Sequence, residues 1–499
     1  MKRKEINSWL NQAPCFEEML CGVNAAAAQP KDVVRDIKKA VALARKFNEE
    51  VVRPMTLELE NRITENPDYL PWEFVETANR WGLYSLWIPR IFGGKGLCLT
   101  SLAIFLEEIA SVCAGMANLI GVHYLGFGTL ISGWNSKLIM EICNEVVEGE
   151  KTGKPCLISL ALTEPDAGTD IEETDLMDKG VITCHAKKAP GGYAVNGTKV
   201  FISNGHLSTW HILFSFASTK KPSENLVLLA VKTGTPGFSF GRTEKKMGQK
   251  SCPASELVFR DTFVEDKNVC IDPSQASKLK RSHTSTTMQI IDYIFSASRA
   301  GVCAFGTGVA RGAYEEALRF ASETKVEGKL LVKHEWAQGM LAEMYKNVEL
   351  GRLSYLESNY ANSIDGVFRL LNWKPVYYMT KFTPAFIMKK LVFPFMFHSM
   401  GTWLLRKVHF DQQTEKQIER TSGFASLAKF TGTDAGMKNS HLALELMGQA
   451  GLRHDQRAEK HFRDAKLMQI YEGTNQLNRI NLFKCLIAPN IPDSDVFGD

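Results

Sequence analysis

The sequence has no Cys-x-x-Cys pair, no Cys/His spacing of the kind that holds a metal, and no long run of charge of one sign. Eleven cysteines are scattered from Cys15 to Cys485, an odd number without paired spacing. That pattern fits free thiols in a reducing compartment and excludes a disulfide scaffold. The 59 basic and 55 acidic residues nearly cancel. No Lys/Arg run is interleaved with stacking aromatics, so nucleic-acid binding is not expected. The start, Met1-Lys2-Arg3-Lys4, is basic but is not followed by the apolar core of a signal peptide, and a cytoplasmic location is the expectation. What remains is 499 residues, 44% apolar and 23% charged, enough for two or three domains of ordinary globular composition.

Periodicity divides the chain into three parts. Residues 1–155 read as helical, with Val33, Ile37, Val41, Ala44, Phe47 and Val51 marking an amphipathic helix over 31–55. Further helical runs are expected over 72–81, 102–114 and 137–147. From 156 to about 285 short β-type runs alternate with turn signals. Asn196-Gly197 between Tyr193-Ala194-Val195 and Lys199-Val200-Phe201-Ile202 reads as a hairpin turn. Strands are expected over 226–231 and 256–259 as well. Helical periodicity returns near Thr286 and continues through 499. The Ala/Gly-rich stretch 299–321 suits a helix packed at the centre of a bundle. The fold class expected is therefore mainly α with a central, barrel-like β-domain.

An apolar segment, Leu391 to Leu405, is flanked by Lys389-Lys390 and Arg406-Lys407. At 15 residues it falls short of the ~20 needed to cross a bilayer. A buried plug or an oligomer contact is the preferred reading. Peripheral membrane contact through residues 385–410 is the alternative.

Four motifs remain. Leu162-Thr163-Glu164-Pro165-Asp166-Ala167-Gly168-Thr169-Asp170 is a turn whose N–H groups and hydroxyls suit an anion. The others are Asn196 to Gly205, Lys246-Met247-Gly248-Gln249-Lys250, and Ile470-Tyr471-Glu472-Gly473-Thr474-Asn475-Gln476. Alone, Glu472 would be a carboxylate at a break between two helices.

In this order and spacing the motifs resemble the acyl-CoA dehydrogenase family, over about residues 31–363 and 425–485. The resemblance implies a helical domain, a β-domain and a helical bundle, with FAD between the last two and an acyl-CoA as substrate. Glu472 would be the catalytic base that removes the thioester α-proton. The family's alternative base position, just before Arg299, is here Ser298, which cannot act as a carboxylate. Leu162 and Thr163 would meet the flavin edge, and Gly168 and Thr169 the pyrophosphate or thioester region. Phe201 would stand behind the flavin where Trp is usual, and Ser203 would approach N5. Thr474 and Gln476 match FAD contacts, while Arg299, Tyr471 and Gly473 fall in the substrate region. No metal is implied. Electron-transfer flavoprotein would be the acceptor and a homodimer or homotetramer the assembly. An acyl-CoA oxidase and a catalytically idle assembly protein are the alternatives.

The motif that meets the adenosine half of FAD is not reproduced: Thr324, Glu327, Glu335 and Gln449 stand at its positions. Either that half is held differently, or FAD binds weakly, or the dimer contact is rebuilt. The last role is assigned to a hydrophobic insertion at about 364–424.

Overall fold

A computed structural model describes residues 30–491 apart from 31, 274–280, 367–368 and 385–386, together with 494, 496 and 497. The basic start, Cys15, Cys21 and residues 385–386 of the 385–410 stretch lie outside the described residues.

The N-terminal helices are α1 (Val33–Phe47), α2 (Arg53–Glu65), α3 (Trp72–Arg80), α4 (Thr100–Ala110), α5 (Ala114–Ser132) and α6 (Ser136–Thr152). In α1 the buried residues Val33, Asp36, Ala40, Ala44 and Phe47 form one stripe, as the three- and four-residue spacing requires. The helix does not stop at Met55. A π turn, Asn48–Val52, leads into α2, with Pro54 in the first turn after it. The periodicity missed α5 altogether. Its residues are apolar and buried on nearly every side, so no polar face marks a 3.6-residue repeat. It is long and apolar enough to cross a membrane, but most of it is buried within the protein.

The middle strands are β1 (Ile158–Ala161), β2 (His185–Ala189), β3 (Gly192–Ser203), β4 (Trp210–Phe216), β5 (Leu226–Lys232), β6 (Phe238–Thr243), β7 (Ala254–Glu265) and β8 (Val269–Ile271). They form one mixed sheet in the order β6-β7-β3-β2-β4-β5-β8, with β1 parallel to β4. Ala161, Val195, Leu213, Val227, Leu257 and Phe259 meet in one apolar cluster, so the sheet curls around its own core.

The hairpin expected at Asn196-Gly197 does not form. β3 runs straight through it, with a bulge against β7 between Val195 and Gly197. The Asn196 side chain holds the bulge, donating to Asp261 Oδ1 at 2.9 Å and accepting from the Asp261 N–H at 2.9 Å. A Cβ on Gly197 would come within 2.6 Å of Cys184 Cα, so glycine serves close approach here and not a turn.

Helices α7 (His283–Glu323) and α8 (Glu335–Ile364) precede the insertion, in which α9 (Lys374–Phe382) and α10 (Ser399–Arg406) are the longer pieces. Then come α11 (Glu415–Met447), α12 (Ala458–Met468) and α13 (Asn475–Leu482). The small residues of α7 act as expected. A Cβ on Gly306 would lie 2.4 Å from the Gly432 carbonyl oxygen of α11, and one on Gly308 would lie 2.6 Å from that of Glu107 on α4.

The insertion packs on the N-terminal helices. Tyr377 donates to Asp36 at 3.3 Å, Lys381 pairs with Asp32 at 3.2 Å, and Phe410 meets Trp134 and Tyr293 edge-on. Only part of it is buried. Leu391, Phe382, Met400 and Trp403 are all exposed, so the buried-plug reading fails. Near its end, Gln413 accepts from Gln289 near the start of α7, whereas Thr324 caps the far end. The 34 residues between Gln289 and Glu323 place the two sites about 50 Å apart by helical rise. Within one protomer, therefore, the insertion does not rebuild the 324–335 loop.

Candidate active site

A cavity of about 200 Å³ opens where α4, α5, the β-domain and α7 meet. Leu102, Leu106, Val122, Leu125 and Phe305 make one end apolar, and Glu172, Ser298 and Glu472 gather at its wall. Leu162, Thr163, Phe201, Ser203 and Tyr471 also line it. Gly168, Thr169, Arg299, Gly473, Thr474 and Gln476 do not.

The break after α12 leaves Glu472 with φ 57° and Gly473 with φ 72°, a reversal that turns the Glu472 side chain into the cavity. Glycine is favoured beside it, because φ 72° is a backbone conformation that L side chains rarely adopt. Several groups hold the reversed backbone. Lys429 Nζ, buried on α11, donates to the Gly473 carbonyl at 2.7 Å and to Asn475 Oδ1 at 2.8 Å. Asn478 donates to the Gly473 carbonyl at 3.0 Å, and Arg299 Nε to that of Glu472 at 3.3 Å. Thr474 caps α13, its hydroxyl accepting from the Leu477 N–H, and Gln476 is exposed.

Ser298, on α7, is part of the cavity wall and donates to Glu472 Oε2 at 2.5 Å. Burial raises the Glu472 carboxyl above its ordinary range, opposed by Ser298 and by the charges of Arg299 and Lys429. A second carboxylate shares the site. Glu172 Oε2 pairs with Arg299 Nη2 at 3.0 Å. Burial pushes Glu172 up to about 7, with Glu472 adding to the rise and Arg299 opposing it. Burial likewise brings Lys429 down to about 7. Sequence reasoning missed Glu172 and Lys429, whose partners are 127 and 44 positions away.

Phe201 occupies a second bulge in β3, between Lys199 and Ile202, with φ 58° and 57% of its surface exposed. A large aromatic in a left-handed backbone conformation is costly, and such strain collects at functional sites. The bulge is tied to the first motif. The Thr163 carbonyl accepts from the Val200 N–H at 2.9 Å, and Lys199 Nζ donates to the Leu162 carbonyl at 2.7 Å. Glu164 is part of this structural frame, fully buried and paired with Lys199 at 2.8 Å. Burial alone would raise its carboxyl, but Lys199 and the Thr183 and Cys184 N–H groups outweigh it and hold it below its ordinary value. Gly168 turns at φ −124°, outside the left-handed region, and its N–H donates to Asp170 Oδ1 at 2.8 Å.

Tyr471 is positioned through Gln249. Its hydroxyl donates to Gln249 Oε1 at 3.3 Å, which also accepts from Asn118 at 3.0 Å. The Gln249 N–H reaches Asp464 on α12 at 2.5 Å, so the third motif joins the β-domain to the C-terminal bundle.

Three family models match the chain in order. They are the acyl-CoA dehydrogenase N-terminal domain at 35–138, the middle domain at 159–262 and the C-terminal domain at 288–367 and 403–486. Among curated proteins, a cyclohex-1-ene-1-carbonyl-CoA dehydrogenase of Syntrophus aciditrophicus is 28% identical over 82% of this chain and 81% of its own. One of the same description from Geobacter metallireducens is 26% identical over 92% of this chain and 100% of its own. The solved butyryl-CoA dehydrogenase of Megasphaera elsdenii shares the fold with a TM-score of 0.68 at 22% identity, over 90% of this chain and 98% of that one. With every domain of the family found in its order and the same fold in a solved relative, this chain belongs to the acyl-CoA dehydrogenase family of flavoprotein oxidoreductases.

Proposed function

We propose that the protein desaturates an acyl-CoA thioester between its α and β carbons, with Glu472 as the base. The single observation that carries this reading is the Glu472 carboxylate at the wall of an apolar cavity that Phe201, Thr163 and Ser203 also line. FAD supplies the acceptor for the β-hydride when bound. The exposed, strained Phe201 ring offers a platform for a flat aromatic group, and Thr163 and Ser203 line the same cavity. Those residues fit the flavin half. Glu327, Glu335 and Gln449 are exposed and do not line the cavity, so the adenosine half would be met elsewhere, at a subunit contact in the assembly we propose.

Proton abstraction from carbon needs a base whose pKa approaches that of the acid. Burial of Glu472 acts in that direction, and the Ser298 hydroxyl orients the carboxylate. Developing enolate charge needs hydrogen-bond donors, and the Glu472 N–H is the one this chain would supply. Arg299, held by Glu172, fixes the Glu472 backbone from behind. The acyl chain would run toward Leu102, Leu106 and Val122. Electron-transfer flavoprotein is the acceptor and the cytoplasm the location this reading assigns. We also assign the three domains to 1–155, 156–285 and 286–499.

The test is turnover of an acyl-CoA panel with an artificial electron acceptor, comparing the native protein with Glu472→Gln. We expect the variant to keep its flavin absorbance and lose at least about 100-fold in kcat. Undiminished turnover by Glu472→Gln would remove the mechanism. Absence of flavin bands after reconstitution would remove the enzyme.

A further inference from the structure

The 45 residues from Gly366 to Phe410 contain seven Lys or Arg and no Asp or Glu, in a chain whose overall charge is only +4. The match to the C-terminal family model breaks inside this stretch, at 367, and resumes at 403. It is therefore a local basic surface added to the shared fold.

Its two sides differ in character. The inner side is anchored by Tyr377, Met388, Phe393 and Phe410, all buried. The outer side is apolar and uncovered: Leu391 is 69% exposed, Phe382 67% and Trp403 54%. Met400, Trp403 and Leu404 recur at three- and four-residue steps on α10, so they share one helical face. The short helix Phe393–Phe397 lies against α10, where a Cβ on Gly401 would meet the Phe395 carbonyl oxygen at 1.9 Å. Lys407 folds back over the Trp403 ring at 4.9 Å, placing a cation at the edge of the apolar face.

We propose that this segment docks on an anionic lipid surface. Leu391, Phe395, Met400 and Trp403 enter the boundary between headgroups and acyl chains, and Lys390 and Lys407 meet lipid phosphates. Short helices with an apolar face, aromatic anchors and basic edges bind at that depth without crossing the bilayer. The charge pattern selects this occupant over a second copy of the chain. A symmetric self-contact centred on this face would bring Lys390 and Lys407 of two copies together, whereas an anionic leaflet complements both. The inner side of the same segment backs the main cavity. Phe410 packs on Tyr293, and Leu99 lines both the cavity and a cleft shared with Leu371 and Tyr377.

Sedimentation of the full-length flavoprotein with vesicles tests this, using phosphatidylcholine alone and phosphatidylcholine mixed with phosphatidylglycerol. Binding is expected only with the anionic vesicles and should weaken as salt is raised. Lys390→Glu/Lys407→Glu should lower the partition coefficient at least about tenfold. Leu391→Asp/Trp403→Asp should abolish sedimentation while flavin absorbance and circular dichroism stay unchanged. The proposal is overturned if anionic vesicles fail to sediment the native protein, or if both variants bind as it does. It is equally overturned if Leu391→Asp/Trp403→Asp lowers the particle mass by light scattering, which would make the face a contact between copies.

Discussion

A carboxylate that is to take a proton from carbon must be ionised at working pH yet poorly solvated, and the environment of Glu472 divides these demands among named groups. Burial raises its pKa, and Ser298 pulls the other way. Replacing Ser298 with Ala removes the stabilising bond to the ionised form, so the acid limb of the kcat–pH profile should move to higher pH. Glu172→Gln has the opposite sign. Removing the Glu172 charge leaves Arg299, which already opposes the rise at Glu472, without its partner, so the limb should move to lower pH. Two shifts in the same direction would refute this division of roles. Glu172 also links to stability. Its pKa is raised to about 7 in the folded protein, so the folded form binds its proton more tightly than the unfolded chain. Its contribution is present below the ordinary Glu value near 4.3 and is lost as pH rises through about 7. Glu472 was legible because its motif is contiguous. Glu172 and Lys429 were not, because their roles exist only through contacts made by folding.

At the scale of elements, the bundle depends on helices that touch backbone to backbone. Gly306 of α7 meets Gly432 of α11, and Gly436 returns to the Gly306 carbonyl at 2.9 Å from its would-be Cβ. Gly306→Ala should therefore destabilise by about 1–3 kcal/mol, because neither backbone can retreat without moving a helix. A denaturant midpoint measures it, and an unchanged midpoint would show the helices to be looser than these contacts require. The Ala/Gly content of 299–321 announced this packing before the structure did. The same kind of signal misled at Asn196-Gly197. A dipeptide that favours a turn also suits a bulge, and only the β7 partner decides between them. Helix α5 was invisible for a related reason, since periodicity detects an element with two faces and α5 has effectively one.

For the molecule as a whole, the site is a seam. Asp464 on α12 binds the Gln249 N–H from the β-domain and pairs with Lys460, both within the buried interior. Asp464→Ala strands the Lys460 charge and cuts the tie that positions Tyr471 through Gln249. A loss of about 3–5 kcal/mol is expected, from the usual cost of orphaning one partner of a buried pair. Thermal unfolding of the variant would expose any smaller effect. If the loss were small, the seam would be held chiefly by its apolar contacts.

The sequence alone determined the helix–sheet–helix order and the family, and it singled out Glu472 as the candidate base, because each is written in local periodicity or contiguous motifs. Composition also marked the 391–405 segment as unusual, though not which of its sides faces outward. Tertiary structure decided the rest: that Glu172 and Ser298 share the site with Glu472, that Phe201 stands exposed in a bulge, and that the insertion lies far from the 324–335 loop. The reason is one of range. Propensity and pattern act over a few residues, whereas these arrangements join positions separated by 37 to 174. Their energies arise only when the chain has brought them together.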